Sequence, residues 1–402
     1  MRELACGVAT LGQLELYVSP FDWPPDEEPR TLARLPPDLA RRARTELRRR
    51  VLCDEVAGAS VAHAGTTLEL AGVLARRAGW GSGTRRLLRL RNLQFDRAVV
   101  TRLSATTGAV VAATSASLGT LRHARARGIM SFLNYPIAHH AFSAAILTEE
   151  AQLRPEYAGT LQSHTFPRSV RSQLEAEIAT ADRVLVLSTF QKRTFVQCGV
   201  PEEKLLVTPL GVDTSLFRPK AATRPTNDVF RVMFSGQIGQ RKGIAYLVDA
   251  FRLADIPGSE LVLVGAPVGS EAPWSRLPNV RHVPHVPRWK LPELYAQADV
   301  FVFPSLVEGF GLTPLEAMAC GVPVIVSTHT FADDVIENGK DGYIVPVRNA
   351  EAIAKLLVHF AEDEDARQAI GCGARRKAER FTWGRYRREA ARAIGRAADL
   401  LP

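Results

Sequence analysis

The sequence predicts an α/β protein of two domains, built on parallel sheets with crossover helices. Three observations carry that expectation. A chain of 402 residues exceeds what one hydrophobic core ordinarily holds. From Ala109 onward, short β-favouring runs alternate with helical stretches, the pattern of a parallel sheet with crossover helices. Two glycine-bearing loops, 235–243 and 304–313, each connect an apolar strand to a helix. The expected division is residues 1–213, a polar, proline-bearing linker over 214–228, a second domain over 229–380, and a terminal helix within 381–402.

Composition narrows the function classes. The chain is 46% hydrophobic and 23% charged, ordinary for a globular domain, with a net charge of +9. That balance suits anionic partners such as nucleotide diphosphates, lipid headgroups or nucleic acid. Cys6, Cys53, Cys198, Cys320 and Cys372 are scattered, with no C-x-x-C and no zinc spacing, and read as buried thiols. No apolar run reaches the roughly 20 residues that span a bilayer, and the N-terminus lacks a signal peptide's charged start and apolar core. The expected location is the cytoplasm, with peripheral contact at the inner face of the membrane as an open alternative.

Along the chain, Met1 to Leu11 reads as a helix and Leu14 to Ser19 as the first strand. Pro20 to Pro37 is a proline-rich loop. Ala40 to Leu52 and Arg85 to Arg97 read as basic helices whose apolar faces are thin for interfacial binding. A solvated face and an anionic membrane or acceptor surface both fit them. No aromatic residues interleave with the arginines for base stacking, so nucleic acid is not expected. Val110 to Ala113 and Ile129 to Leu133 are expected strands flanking a helix from Leu118 to Arg127. The loop that follows holds Asn134, His139 and His140 where a strand ends, a place where crevice-lining residues gather. Leu174 to Ala181, Val184 to Leu187, a Ser188-capped helix to Cys198, and Lys204 to Thr208 complete the first half.

The second half opens with strand Phe230 to Phe234 and the loop Ser235 to Gly243, which carries Gly236, Gln237, Arg241 and Lys242. It is not a G-x-x-x-x-G-K-[ST] phosphate loop, because Lys242 precedes its glycine. Ile244 to Phe251, Leu261 to Gly265 and Val280 to Pro292 follow as helix, strand, and strand plus loop. Val300 to Phe303 is the look of a strand buried in a parallel sheet. After it the spacing predicts Thr313 as N-cap, Pro314 at the first helical position and Glu316 closing a capping box. A glycine-flanked helix entry suits phosphate, while the carboxylates Glu308 and Glu316 suit hydroxyls. Together they describe a nucleotide sugar. Tyr343 to Val345 is a strand, and helices run over Glu351 to Phe360, Ala366 to Arg380 and Phe381 to Leu400. His282 and His285 lack a third ligand, and Asp333-Asp334 resembles a metal pair only superficially, so no metal is expected.

EGFGLTPLEAMACGVPVI, ADRVLVLSTFQ, GVPEEKLLVTPLGVD and SGQIGQRKG resemble retaining glycosyltransferases of family four, which have the GT-B fold of two Rossmann-like domains. The resemblance covers most of the chain from about Leu118. It implies that Glu308 contacts hydroxyls of the donor sugar and Glu316 the ribose. It places Gly309, Phe310, Gly311, Leu312 and Thr313 near sugar and phosphate, and Val286 with Pro287 at the base. Lys242 matches the family's phosphate-clamp lysine. The clamp arginine's position holds Gln237, leaving Arg241 as the substitute charge. One of Asn134, His139 and His140 would face the sugar. The implied donor is a UDP- or GDP-sugar, without a metal. The implied acceptor is a glycan, a lipid-linked saccharide or a small molecule. The strand and glycine-rich loop that open the family's first domain find no match. Alternatives within this architecture are a nucleotide-sugar epimerase or phosphorylase-like enzyme, and an inactive nucleotide-sugar-binding protein.

Overall fold

The computed structural model describes residues 1–10, 12–19, 56, 59–77, 81–161, 166–219, 229–269, 274 and 277–399. The expected basic helix over Ala40 to Leu52, the proline-rich loop and most of the expected linker lie outside these residues. Twelve strands are described: β1 Leu16–Ser19, β2 Ser60–His63, β3 Ala109–Ala113, β4 Met130–Asn134, β5 Arg183–Val186, β6 Leu205–Val207, β7 Phe230–Ser235, β8 Ser259–Val264, β9 Val280–Val283, β10 Val300–Phe303, β11 Val324–Ser327 and β12 Tyr343–Val345. They form sheets in the orders β1-β2, β3-β4-β5-β6 and β12-β11-β10-β7-β8-β9.

The chain divides into two compact units. One holds Met1–Asn134, Ser169–Val184 and Tyr386–Pro402; the other holds Tyr135–Arg168 and Leu185–Arg385. In the first unit, β1 and β2 pair in parallel, as do β3 and β4. A cavity of about 550 Å³ is lined by every residue of both β1 and β3. The Leu118–Ala126 helix has Ser117 as N-cap without a side-chain bond. Asp96, reaching over from the Gly81–Val100 helix, does the capping instead, accepting from Gly119 N at 2.6 Å and Thr120 N at 2.7 Å. That helix's Arg91 pairs with Glu69 at 2.7 Å. Glu3 and Arg387 join the two ends of the described chain at 2.7 Å.

The cysteine expectation needs correction. Cys198 and Cys372 are exposed, and Cys6 is disulfide-bonded. Scattered spacing says nothing about which cysteines tertiary packing leaves at the surface or brings within bonding distance of another.

The second unit is built on the six-stranded sheet. Every residue of β7, β10 and β11 is buried, and these strands read as largely apolar runs, unbroken in β10, and not as alternation. The strand order reverses between β7 and β10: β8 and β9 continue on one side, β11 and β12 on the other. Register sets Val232 opposite Val300 and Met233 opposite Phe301. The loops after β7 and after β10 therefore leave adjacent strand ends, the place where an open α/β sheet forms its crevice. The core behind them holds Phe234, Phe301, Phe303 and Tyr295, all at most 1% exposed. Phe217, inside the segment expected to be linker, is fully buried as well. Among the described residues, no helix is long and apolar enough to cross a membrane.

Candidate functional site

The two glycine-bearing loops meet directly. Gln240–Lys242 forms one 3-10 turn, closed by Gly243 in the left-handed region at φ 71°. A Cβ on Gly243 would lie 2.1 Å from the Pro304 carbonyl oxygen, so only glycine allows this approach. Across the contact, Leu306 N donates to Arg241 O at 2.9 Å. Arg241 Nη1 donates to Glu308 Oε1 at 2.8 Å and to Val307 O at 3.1 Å. Lys242 Nζ reaches the same Glu308 oxygen at 2.5 Å.

Electrostatics follow from burial. Burial pushes the Lys242 ammonium below its ordinary value even though Glu308 opposes the change. For Glu308, burial acts upward, but Lys242 and Arg241 outweigh it and hold the carboxyl below its usual range. One carboxylate thus carries two cations in a nearly dry place. Lys242 Nζ also sits 4.7 Å from the centroid of the Phe303 ring. A Cβ on Gly311 would lie 3.1 Å from that ring's edge. The cationic turn and the tip of the next helix therefore share one aromatic floor.

That tip differs from the expected capping box. The helix spans Leu312–Ala319, and its N-cap is Gly311, at φ 103° with no side-chain cap. Thr313 lies inside the first turn, where its hydroxyl cannot cap, and its Oγ1 has no hydrogen-bond partner among the described residues. Glu316 turns instead to Arg288, whose Nε and Nη2 donate to Oε1 at 3.0 and 2.8 Å. Burial raises the Glu316 carboxyl above its ordinary value, with Arg288 opposing. Tyr295 ties the region together, its hydroxyl within 2.8 Å of Ser235 Oγ and donating to Thr313 O at 3.4 Å. Arg288 and Tyr295 escaped the sequence reading. Arg288 directly follows Val286 and Pro287, a local hint that gained meaning only once Glu316 was seen to face it.

The remaining expected residues distribute as follows. Gln237 is exposed and Gly236 half-buried at the end of β7, with Val286 partly buried. Phe310 is buried and packs 5.0 Å from Phe331, while Gly309 O accepts from Ser188 Oγ at 2.6 Å. Ser188 also caps the Thr189–Gln197 helix, as expected from sequence. Asn134 ends β4 and lies in the first unit; His139 and His140 lie in the second.

His139 opens a fourteen-residue helix, His140–Leu153, which the sequence reading missed because its apolar residues run almost all around it. As N-cap, its Nδ1 accepts from Ala141 N at 3.2 Å. Burial, aided by His140, lowers its pKa to about 4. A depressed pKa makes a stabilising contribution that is present above the ordinary value near 6.5 and lost as pH falls toward 4. His139→Asn keeps a cap acceptor without that titration. Its melting temperature is expected to fall about 2–4 °C less than the wild type's between pH 7.5 and pH 5. Equal pH dependence in thermal melts would dismiss this account.

Of the acidic pair once considered for metal, Asp334 accepts from Thr189 N and Oγ1 at 2.8 and 2.6 Å, and Asp333 pairs with Arg193 at 2.6 Å.

Comparison with known proteins bears on the family and the fold. The family described as Glycosyl transferases group 1 matches residues 219–377. A D-inositol 3-phosphate glycosyltransferase of Jonesia denitrificans is 31% identical, over 62% of this chain and 63% of its own length. One of the same description from Geodermatophilus obscurus is 30% identical, over 61% of this chain and 68% of its own. The chain thus spans between about half and two thirds of the curated relatives it matches. A solved Anabaena protein, HepE, in complex with UDP-glucose, superposes with a TM-score of 0.58 at 18% identity, covering 75% of this chain and 82% of its own. The likeness shows the fold: α/β of the GT-B class, with Rossmann-like domains.

Proposed function

The chain belongs to the glycosyl transferases group 1 family, and from that premise we propose that it moves a sugar from a nucleotide-diphosphate sugar to a hydroxyl acceptor. In this reading it is a retaining, metal-independent enzyme of family four. Residues 229–380 bind the donor and the N-terminal residues bind the acceptor, a glycan, a lipid-linked saccharide or a small molecule. The observation that carries the proposal is the meeting of Arg241 and Lys242 with Glu308 above Phe303, beside the uncapped entry at Gly311.

Each part has a task. The backbone N–H groups of the Leu312–Ala319 helix entry and the two cations take the diphosphate. Glu316, oriented by Arg288 through Oε1, offers its carboxylate to ribose hydroxyls. Glu308 orients the sugar. In the transfer, the acceptor oxygen bonds to the anomeric carbon on the face that the diphosphate leaves. The bond from that carbon to the phosphate oxygen breaks, and the departing phosphate oxygen takes the acceptor's proton. Negative charge grows on the leaving diphosphate, where Lys242, Arg241 and the helix entry lower its energy. The nearly dry surroundings strengthen that effect.

The test is a thermal-shift screen of UDP-, GDP- and dTDP-sugars, followed by labelled transfer with the donor that binds. One donor class is expected to raise the melting temperature, because a ligand of the native state stabilises it. It should then lose its sugar to an acceptor or to water. Donor binding without transfer or hydrolysis would favour the inactive binder, and no shift with any nucleotide sugar would remove the proposal.

A further inference from the structure

Behind the cationic turn lies a buried carboxyl group that the donor reading does not use. Glu150, on the His140–Leu153 helix, is 0% exposed. Its Oε1 accepts from Gln240 Nε2 at 2.6 Å. Its Oε2 accepts from Arg348 Nε at 2.8 Å and from the Tyr246 hydroxyl at 3.1 Å. Three donors satisfy it, which is the condition for keeping such a group out of water.

Gln240 is the first residue of the turn and is equally buried. Its side-chain oxygen accepts from Ala245 N at 3.0 Å, and its backbone N donates to Thr160 Oγ1 at 3.0 Å. Its carbonyl accepts from Gly243 N at 2.8 Å. Every polar group of this residue is therefore committed, and the next two residues are Arg241 and Lys242. The anchor on the far side is itself held under constraint. Arg348 sits in the left-handed region at φ 63°, which residues other than glycine rarely adopt. From there it also pairs with Glu149 at 2.7 Å and donates to Ile146 O at 3.1 Å.

A pair of apolar side chains would fill this space with less desolvation. What the polar chain adds is direction: it fixes where the turn begins and hence where both cations leave the backbone. We infer that Glu150 is a positioning residue, acting through Gln240 to aim Arg241 and Lys242 at the distal phosphate of the donor. The inference rests on the donor reading above.

The test compares a nucleoside diphosphate with its monophosphate, because only the former carries the phosphate the turn is aimed at. The full-length protein is titrated by calorimetry with UDP and with GDP, and then with the monophosphate of whichever binds more tightly. Glu150→Gln places an N–H2 among three donors, and Gln240→Ala removes the link. Each is expected to weaken the diphosphate about 10-fold and to leave the monophosphate within about twofold. Tyr246→Phe, which touches only the other carboxyl oxygen, is expected to spare both. In an Arg241→Ala, Lys242→Ala background, Glu150→Gln is expected to change diphosphate affinity by less than about twofold, because both of its targets are gone. Equal losses for both nucleotides, or an unchanged diphosphate affinity in folded Glu150→Gln, would overturn the inference while leaving the donor reading intact. A wild-type protein that binds neither diphosphate overturns the donor reading itself, and this inference with it.

Discussion

Lys242→Ala is expected to lower kcat by about 10²–10³-fold, the usual cost of removing one group aimed at charge that develops in the transition state. The lysine is nearly dry, shares Glu308 with Arg241 at 2.5 and 2.8 Å, and lies over the Phe303 ring. Its charge is therefore held in place before any donor arrives. Arg241 remains in the variant, still bonded to Glu308 and to the Val307 carbonyl, so the carboxylate keeps one partner and the loop keeps its contact. Binding should suffer less than turnover, because the interaction strengthens as the phosphate oxygen gains charge. Steady-state kinetics with the donor found by thermal shift checks this. A kcat within about threefold of wild type would exclude Lys242 from charge stabilisation. Loss in KM alone would reduce it to a ground-state contact.

The second large effect falls on Glu316. Glu316→Ala is expected to weaken nucleotide binding about 10- to 100-fold, the range for losing charge-assisted hydrogen bonds in a buried site. Arg288 holds one carboxyl oxygen through two contacts, and its side chain is 48% exposed. It can turn to water when its partner is removed, so the fold should survive the substitution. The deoxynucleotide makes the assignment specific. Wild-type protein is expected to prefer UDP or GDP over its 2′-deoxy form, and the variant to lose that preference. A site built around a hydroxyl leaves its own polar atoms unpaired when the hydroxyl is missing. Calorimetry showing unchanged affinity, or a preference for the ribose form retained by the variant, would release Glu316 from this role.

Much of the second unit was legible in the chain. An unbroken apolar run such as Val300–Phe303 announces a strand buried on both faces, because a parallel sheet covered by helices offers it no wet side. Ser188 announced its own helix. What failed was signalling that depends on partners distant in sequence. The capping box at Thr313 and Glu316 is a sound local pattern. It lost to a glycine able to adopt φ 103° and to an arginine 28 residues away. The His140–Leu153 helix was missed because a helix packed on several sides shows no single apolar face. Its most consequential residue, Glu150, has partners 90 to 198 positions away.

By itself the sequence determined that Arg241, Lys242 and Glu308 stand on two glycine-bearing loops, each between a strand and a helix. Periodicity, glycine placement and residue type are local properties of a chain. Only the tertiary structure decided that the turn at Lys242 and the loop at Glu308 touch. Their contact follows from β7 lying beside β10, a pairing fixed by hydrogen bonds across the sheet and by the packing of Phe234, Phe301 and Phe303 beneath it. No stretch of contiguous residues encodes that adjacency, because the free energy that selects it belongs to the closed core as a whole.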